Sequence, residues 1–263
     1  MELGQKLGEG RLAEVFEFGR NRAIKLFRSG TSVAQVTHEY EIAGIVHQAG
    51  LPVAEPYELF QMGERIGIIY ERITGLTLLK HIITDLRKLR WAAELSGQLH
   101  ADLHKVSTCA LPSQRNRMSR NILAAPLEEN VKAKAMELLV QLPDGDSLCH
   151  GDFHVDNVIF TTNGSIIVDW ENASSGSPLA DFVHSSLILR VASQPEFIRG
   201  IDFRSVKFQI LRHYMSAYLK ANPSDRLAWI RWIVPSAINR LHEGIPGERD
   251  SLLRIIHRGI SLV

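Results

Sequence analysis

Residues 149–170 read CHGDFHVDNVIFTTNGSIIVDW, and this stretch decides how the chain is understood. It sets His150, Asp152 and Asn157 in the spacing H-x-D-x-x-x-x-N. Two short apolar runs, 158–160 and 166–168, flank Thr162-Asn163-Gly164, and an Asn-Gly pair between such runs predicts a hairpin. A second acid, Asp169, follows directly. The spacing suits phosphoryl transfer. A hydroxyl is a poor nucleophile until a base shares its proton, which an ionised Asp152 can do. The Asn157 amide and the Asp169 carboxylate are oxygen ligands of the kind Mg²⁺ takes beside nucleotide phosphates. Singly, each residue reads equally well as part of a polar turn that bonds its own backbone. The whole set with its strand-borne acid favours the chemical reading. His150 and His154 stand four apart, as zinc ligands on a helix would. Gly151 between them predicts a loop, and no third ligand of the zinc type is near.

Upstream, residues 7–15 read LGEGRLAEV. Gly8 and Gly10 open a G-x-G-x-x-G-x-V pattern in which Ala13 stands for the third glycine. The segment joins two predicted strands, as a phosphate-covering turn does, and does not open a helix. The rival is an ordinary glycine-rich turn. Ten residues after Val15 comes Lys25, flanked by Ala23, Ile24 and Leu26. Burying an ammonium without a partner is costly, so a counter-charge is expected. Glu39 and Glu41 on the next predicted helix are the candidates, and only one can face Lys25. An edge-strand lysine reaching to water is the plainer alternative.

The order of elements is α+β. Hairpins are predicted around Gly19-Arg20-Asn21 and Met62-Gly63-Glu64, with a helix over about 32–48 between them. After Gly75 the chain turns mainly helical: one helix runs to about Lys105 and another spans about 126–140. Beyond Pro178 helices are separated near Pro195, Pro223 and Pro246. The composition shift at Thr74-Gly75 predicts a boundary between an N-terminal lobe over 1–73 and a C-terminal lobe over 74–263.

The 263 residues suffice for two lobes with cores, and a net charge of +1 gives no field that recruits nucleic acid or an anionic membrane. Two cysteines without metal spacing, no leader-like start and no long uncharged apolar run lead to the expectation of a cytoplasmic chain. Residues 174–263 carry seven Asp or Glu against twelve Lys or Arg. That excess favours a neutral or anionic acceptor over a polycation, although arginines on solvated helix faces would also account for it. Tyr214, Tyr218, Trp229 and Trp232 recur at helical spacing, which fits core better than a pocket lining.

Glycine-rich turn, strand lysine, helix glutamate, H-x-D-x-x-x-x-N and a later Asp follow the order of the protein-kinase-like fold. HGDFHVDN, the VDWE run at 168–171, Leu99-His100 and GLPVAEP at 50–56 resemble the aminoglycoside phosphotransferase and choline kinase family. The resemblance extends from Leu7 to about Leu187. It implies a two-lobed α+β fold and a kinase that moves the γ-phosphate of ATP or GTP, with Mg²⁺, to a hydroxyl of a small molecule. It further implies Asp152 as base and Asn157 and Asp169 as metal ligands. Gly8 and Gly10 would lie over the nucleotide, and Lys25 would sit on its phosphates, paired with Glu39. Glu71 to Ile73 would form the hinge at the adenine edge, and Asp181 would brace the catalytic loop. Trp170-Glu171 replaces the Phe-Gly of protein kinases and no A-P-E signal follows, so small-molecule acceptors are expected over proteins. An aminoglycoside phosphotransferase and a catalytically silent nucleotide-binding scaffold are the alternative readings.

Overall fold

The computed structural model describes residues 2–194, 198 and 200–261. In chain order the elements begin with β1 (Leu3–Glu9), β2 (Ala13–Phe18), β3 (Arg22–Phe27) and α1 (Val33–Gln48). β4 (Pro56–Met62), β5 (Arg65–Glu71), β6 (Leu76–Thr77), α2 (Leu78–Thr84) and α3 (Leu89–Leu103) follow. Next are α4 (Gln114–Ala124), α5 (Glu129–Gln141), β7 (Ser147–Cys149), β8 (Val158–Thr161), β9 (Gly164–Ile167) and β10 (Ser174–Gly176). α6 (Pro178–Val191), α7 (Phe203–Ala221), α8 (Arg226–Ile230), α9 (Ile233–His242) and α10 (Arg249–Ile260) complete the described chain. The break expected near Pro195 lies outside the described residues. Helices do part around Pro223 and Pro246.

The chain packs as two units. One comprises Met1–Thr77 with Asn157–Glu171, and the other Leu78–Asp156 with Asn172–Val263. The division after Thr77 lies just beyond Thr74-Gly75, and the segment from Asn157 to Glu171 packs with the first unit.

In the first unit an antiparallel sheet runs β1-β2-β3-β5-β4. Asn21 and Gly63, both at positive φ, turn its hairpins. Alternation along β3 decides what faces α1. Ile24 and Leu26 join Phe18 and Ile69 on one face. Phe27 joins Ala13, Ile68 and Val36 of α1 on the other. Lys25 shares the Phe27 parity, so its stem points to the helix side of the sheet. α1 starts where expected because Ser32 and Gln35 form a capping box, and it ends before Gly50 at φ +75°. β6, β8 and β9 make a second small sheet, with the predicted Asn-Gly hairpin joining β8 to β9.

The second unit is helical around the short β7–β10 pair. α3 packs on α7 at Gly97, where an added Cβ would meet the Tyr214 carbonyl oxygen at 2.4 Å. Tyr214, Tyr218 and Trp232 are buried in this core. α4 is a helix that apolar spacing does not single out. Its buried positions are Gln114, Met118 and Ile122, a single line four residues apart with one polar member. No helix among the described residues is long and apolar enough to cross a membrane.

Candidate active site

In the first unit, Lys25 Nζ lies 2.7 Å from Glu39 Oε1 and 2.7 Å from Asp169 Oδ1. Glu39 is 3% exposed, whereas Glu41 faces solvent, so helix phase settles which glutamate meets the lysine. Burial alone would push the Lys25 ammonium down. Asp169 and Glu39 outweigh it and hold the group well above the ordinary lysine range. The Tyr70 hydroxyl donates to the same Glu39 oxygen at 3.5 Å.

Asp169 follows β9 at φ +68°, a left-handed conformation that costs a non-glycine residue energy and that Asp tolerates better than most. The Val168 N–H donates to Asn157 O at 3.0 Å, which ties the two predicted metal ligands to neighbouring strands. An amide oxygen and a carboxylate are hard donors, so this set fits Mg²⁺. Glu171 is a member that sequence reasoning missed. Burial, with the charges of Asp169 and Glu39 behind it, pushes its carboxyl up to about 7, and in its protonated form it donates to Glu39. The signal was visible as the second acid in V-D-W-E.

Gly8 lies in β1, and Gly10 donates its N–H to Ala13 O at 2.8 Å across the turn into β2. A Cβ added at Gly8 would meet nothing, so packing does not demand glycine there. Glu71 ends β5 opposite Arg22, and its N–H donates to Glu55 O at 2.9 Å, which commits that donor. Ile73 lies in the irregular stretch just beyond.

In the second unit, Asp152 sits on a loop braced from α6. The Asp181 carboxylate accepts the N–H groups of His150 at 2.7 Å and Gly151 at 2.9 Å. It also accepts from His100 Nε2 at 3.0 Å and His104 Nε2 at 3.2 Å. Because a carboxylate only accepts, both Nε2 atoms carry the proton, and each Nδ1 then accepts a tyrosine hydroxyl. Those hydroxyls belong to Tyr214 at 2.6 Å and Tyr218 at 2.7 Å. Four donors around one acid keep it ionised. Burial pushes it up, and the histidine hydrogen bonds pull it well below the usual range. Gly151 stands at φ +80°, and an added Cβ would meet Asn172 O at 2.3 Å, so only glycine turns this loop. Arg117 of α4 donates to that same Asn172 oxygen.

Asp152 itself has Arg240 Nη1 at 3.6 Å and His154 Nε2 at 3.7 Å. Burial would raise its carboxyl. The His154 hydrogen bond and the charges of His154, Arg240 and His150 lower it to about 2. In the sequence Arg240 is one of the twelve basic residues of 174–263. No local motif marks it, because its partners Glu243 and Glu248 lie in the turn beyond α9.

Two curated relatives overlap this chain in part. Mouse acyl-CoA dehydrogenase family member 10 is 27% identical over 217 residues, covering 71% of this chain and 20% of its own length. Human acyl-CoA dehydrogenase family member 11 is 41% identical over 178 residues, covering 58% and 23%. The chain thus spans about a fifth of the length of these relatives. Among solved structures, the amicoumacin kinase hAmiN in complex with AMP-PNP, Ca²⁺ and Ami is similar at a TM-score of 0.62 and 15% identity, covering 98% of this chain and 88% of that one. A thermostable mutant of aminoglycoside phosphotransferase APH(4)-Ia, in a ternary complex with ADP and hygromycin B, gives 0.65 and 16%, covering 99% and 93%. At such identity these likenesses establish the kinase-like α+β fold. The model of the APH family, described as the phosphotransferase enzyme family, matches residues 4–214, and the chain belongs to that family.

Proposed function

We propose that the chain is a small-molecule kinase that transfers the γ-phosphoryl group of ATP, or GTP, to an acceptor hydroxyl. The observation that carries the reading is Lys25 held at 2.7 Å from both Glu39 and Asp169. A structural lysine needs one counter-charge. This one has two, and the second is the acid of the V-D-W-E run. In this reading Lys25 grips the nucleotide phosphates and Glu39 keeps it in place, with Gly8 and Gly10 lying over the phosphates. The backbone from Glu71 to Ile73 takes the adenine edge. Mg²⁺, bound by Asn157 and Asp169, would neutralise phosphate charge.

Asp152 orients the acceptor hydroxyl and receives its proton. The acceptor oxygen forms a bond to the γ-phosphorus, the bond from that phosphorus to the β-bridging oxygen breaks, and the nucleoside diphosphate leaves with the electron pair. A carboxyl as acidic as Asp152 is a weak base. It suffices because the loose transition state of phosphoryl transfer asks for the proton late. Asp181, through the N–H groups of His150 and Gly151, keeps the loop in shape while this happens.

The acceptor class also follows from charge. The basic excess of residues 174–263 pointed to a neutral or anionic molecule. Next to Asp152, however, the Arg240 guanidinium is already shared with Glu243 and Glu248. This supports a neutral acceptor and disfavours an anionic one. It also keeps the second reading, an aminoglycoside-like amine-bearing acceptor, in play. The test is a nucleotide-consumption screen over sugars, amino alcohols, nucleosides and antibiotics with Mg²⁺. Turnover with one hydroxyl class is the expected result. No turnover together with no Mg²⁺-nucleotide binding rejects the proposal, and binding without turnover favours the silent scaffold.

A further inference from the structure

Arg240 is 7% exposed, and every nitrogen of its fork is engaged. Nε and Nη2 donate to Glu248 Oε2 and Oε1 at 2.8 and 2.9 Å, a bidentate pair. Nη1 donates to Glu243 Oε2 at 2.6 Å and lies 3.6 Å from Asp152 Oδ1. His184 Nε2 of α6 lies 3.4 Å from the other oxygen of Glu243. A buried arginine–glutamate pair is a poor device for stability alone, because desolvation offsets much of its attraction. What this pair does accomplish is geometric. With two corners of the guanidinium fixed on Glu248, the third has one place to be, and that place adjoins the Asp152 carboxylate.

We propose that Arg240 is a positioning residue for Asp152, locked by Glu248 and Glu243 so that Nη1 orients the carboxylate toward the acceptor hydroxyl. This rests on the reading of Asp152 as the base. Among the described residues, the groups facing Asp152 include His150 and His154 from its own loop and Arg240 from α9, with Glu243 also acting on it. Of these, the guanidinium is the permanently charged cation, so it keeps acting when the histidines are neutral. The Arg240 charge adds to the larger effect of His154 in holding this carboxyl low where burial alone would raise it. It also makes the excess acid nearby tolerable, since Glu243 and Glu248 share one cation with the base.

The test uses Arg240→Met, Arg240→Lys and the double variant Arg240→Met/Glu248→Met, which leaves no unpaired buried glutamate and guards against simple unfolding. Two readouts are taken. The first is carbon-13 carboxyl titration of aspartate-labelled protein, with the Asp152 signal assigned by its loss in Asp152→Asn. The Asp152 midpoint is expected to rise from about 2 to about 3 or higher in both Met variants, and less in Arg240→Lys. The second is steady-state kinetics with an acceptor from the screen. kcat is expected to fall about 10- to 100-fold while the nucleotide KM stays within about twofold, with partial recovery in Arg240→Lys. An unmoved Asp152 midpoint, or an unchanged kcat, in a folded Met variant overturns the proposal. If the screen yields no acceptor, the kinase reading fails on its own account, and the titration still decides whether Arg240 governs Asp152.

Discussion

Lys25 Nζ and Asp169 Oδ1 stand 2.7 Å apart, joining β3 to the residue that follows β9 across 144 positions of sequence. The same ammonium is 2.7 Å from Glu39, and Glu171 adds a third carboxyl to the group. One cation therefore keeps several acids compatible in a small volume, and it is the charge that would meet the nucleotide phosphates.

Lys25→Met should thus lower kcat/KM for nucleotide by about 100-fold or more, in the range found when one preorganised electrostatic donor is removed. Lys25→Arg should not restore it, because a planar fork cannot replace a compact ammonium between Glu39 and Asp169. Initial rates against nucleotide concentration check both. Near-normal kinetics in Lys25→Met would remove Lys25 from the site.

Acid should destabilise the fold from an unusually high pH. Burial, aided by the neighbouring His104 imidazole, lowers His100 to about 3 against the pull of Asp181. The unfolded chain takes up that proton near pH 6.5, and the native state does not until about 3. Stability should therefore fall as pH drops through this window, by about 1.4 kcal/mol per pH unit for this one group. Asp181 has the depressed-acid sign. Its contribution is present above the ordinary aspartate range and is lost as pH falls through its lowered value. Urea midpoints from pH 7.5 to 4.5 check this. His100→Gln should be less stable at pH 7.5 and show a shallower slope, and an equal slope would contradict the assignment.

Gly97→Ala should destabilise the second unit by about 1–3 kcal/mol. Its Cβ would approach Tyr214 O at 2.4 Å and Ala217 Cβ at 3.0 Å, so α3 and α7 must separate. The displaced Tyr214 also carries a hydroxyl bonded to His100, and the change reaches the Asp181 network. Thermal unfolding checks it, and an unchanged midpoint would mean that the crossing gives way without cost.

Much of this was legible in sequence where the signal is local. Turn residues fixed the hairpins at Asn21, Gly63 and Asn163-Gly164, and the Ser32 cap fixed the start of α1. Helix phase left Glu39 and Glu41 as rivals in the sequence, and the packing of α1 chose Glu39. Pairings made by distant helices were not legible. Arg240 reads as one arginine among many until α9 is packed beside the Asp152 loop. His104 gives no sign that it shares Asp181 with His100. The segment after Asn157 reads as part of the catalytic half, yet β8 pairs with β6 and Ile167 bridges to Val53, so it packs with the first unit. Local chemistry sets the residues that act, and packing sets the ones that hold them.

The most direct measurement compares Asp152→Asn with the unaltered chain, recording Mg²⁺-nucleotide affinity and turnover of the acceptor found by the screen on the same preparations. The account predicts affinity within about twofold and turnover reduced by about 100-fold or more. Equal turnover in the variant would contradict Asp152 as the base and with it the proposed mechanism.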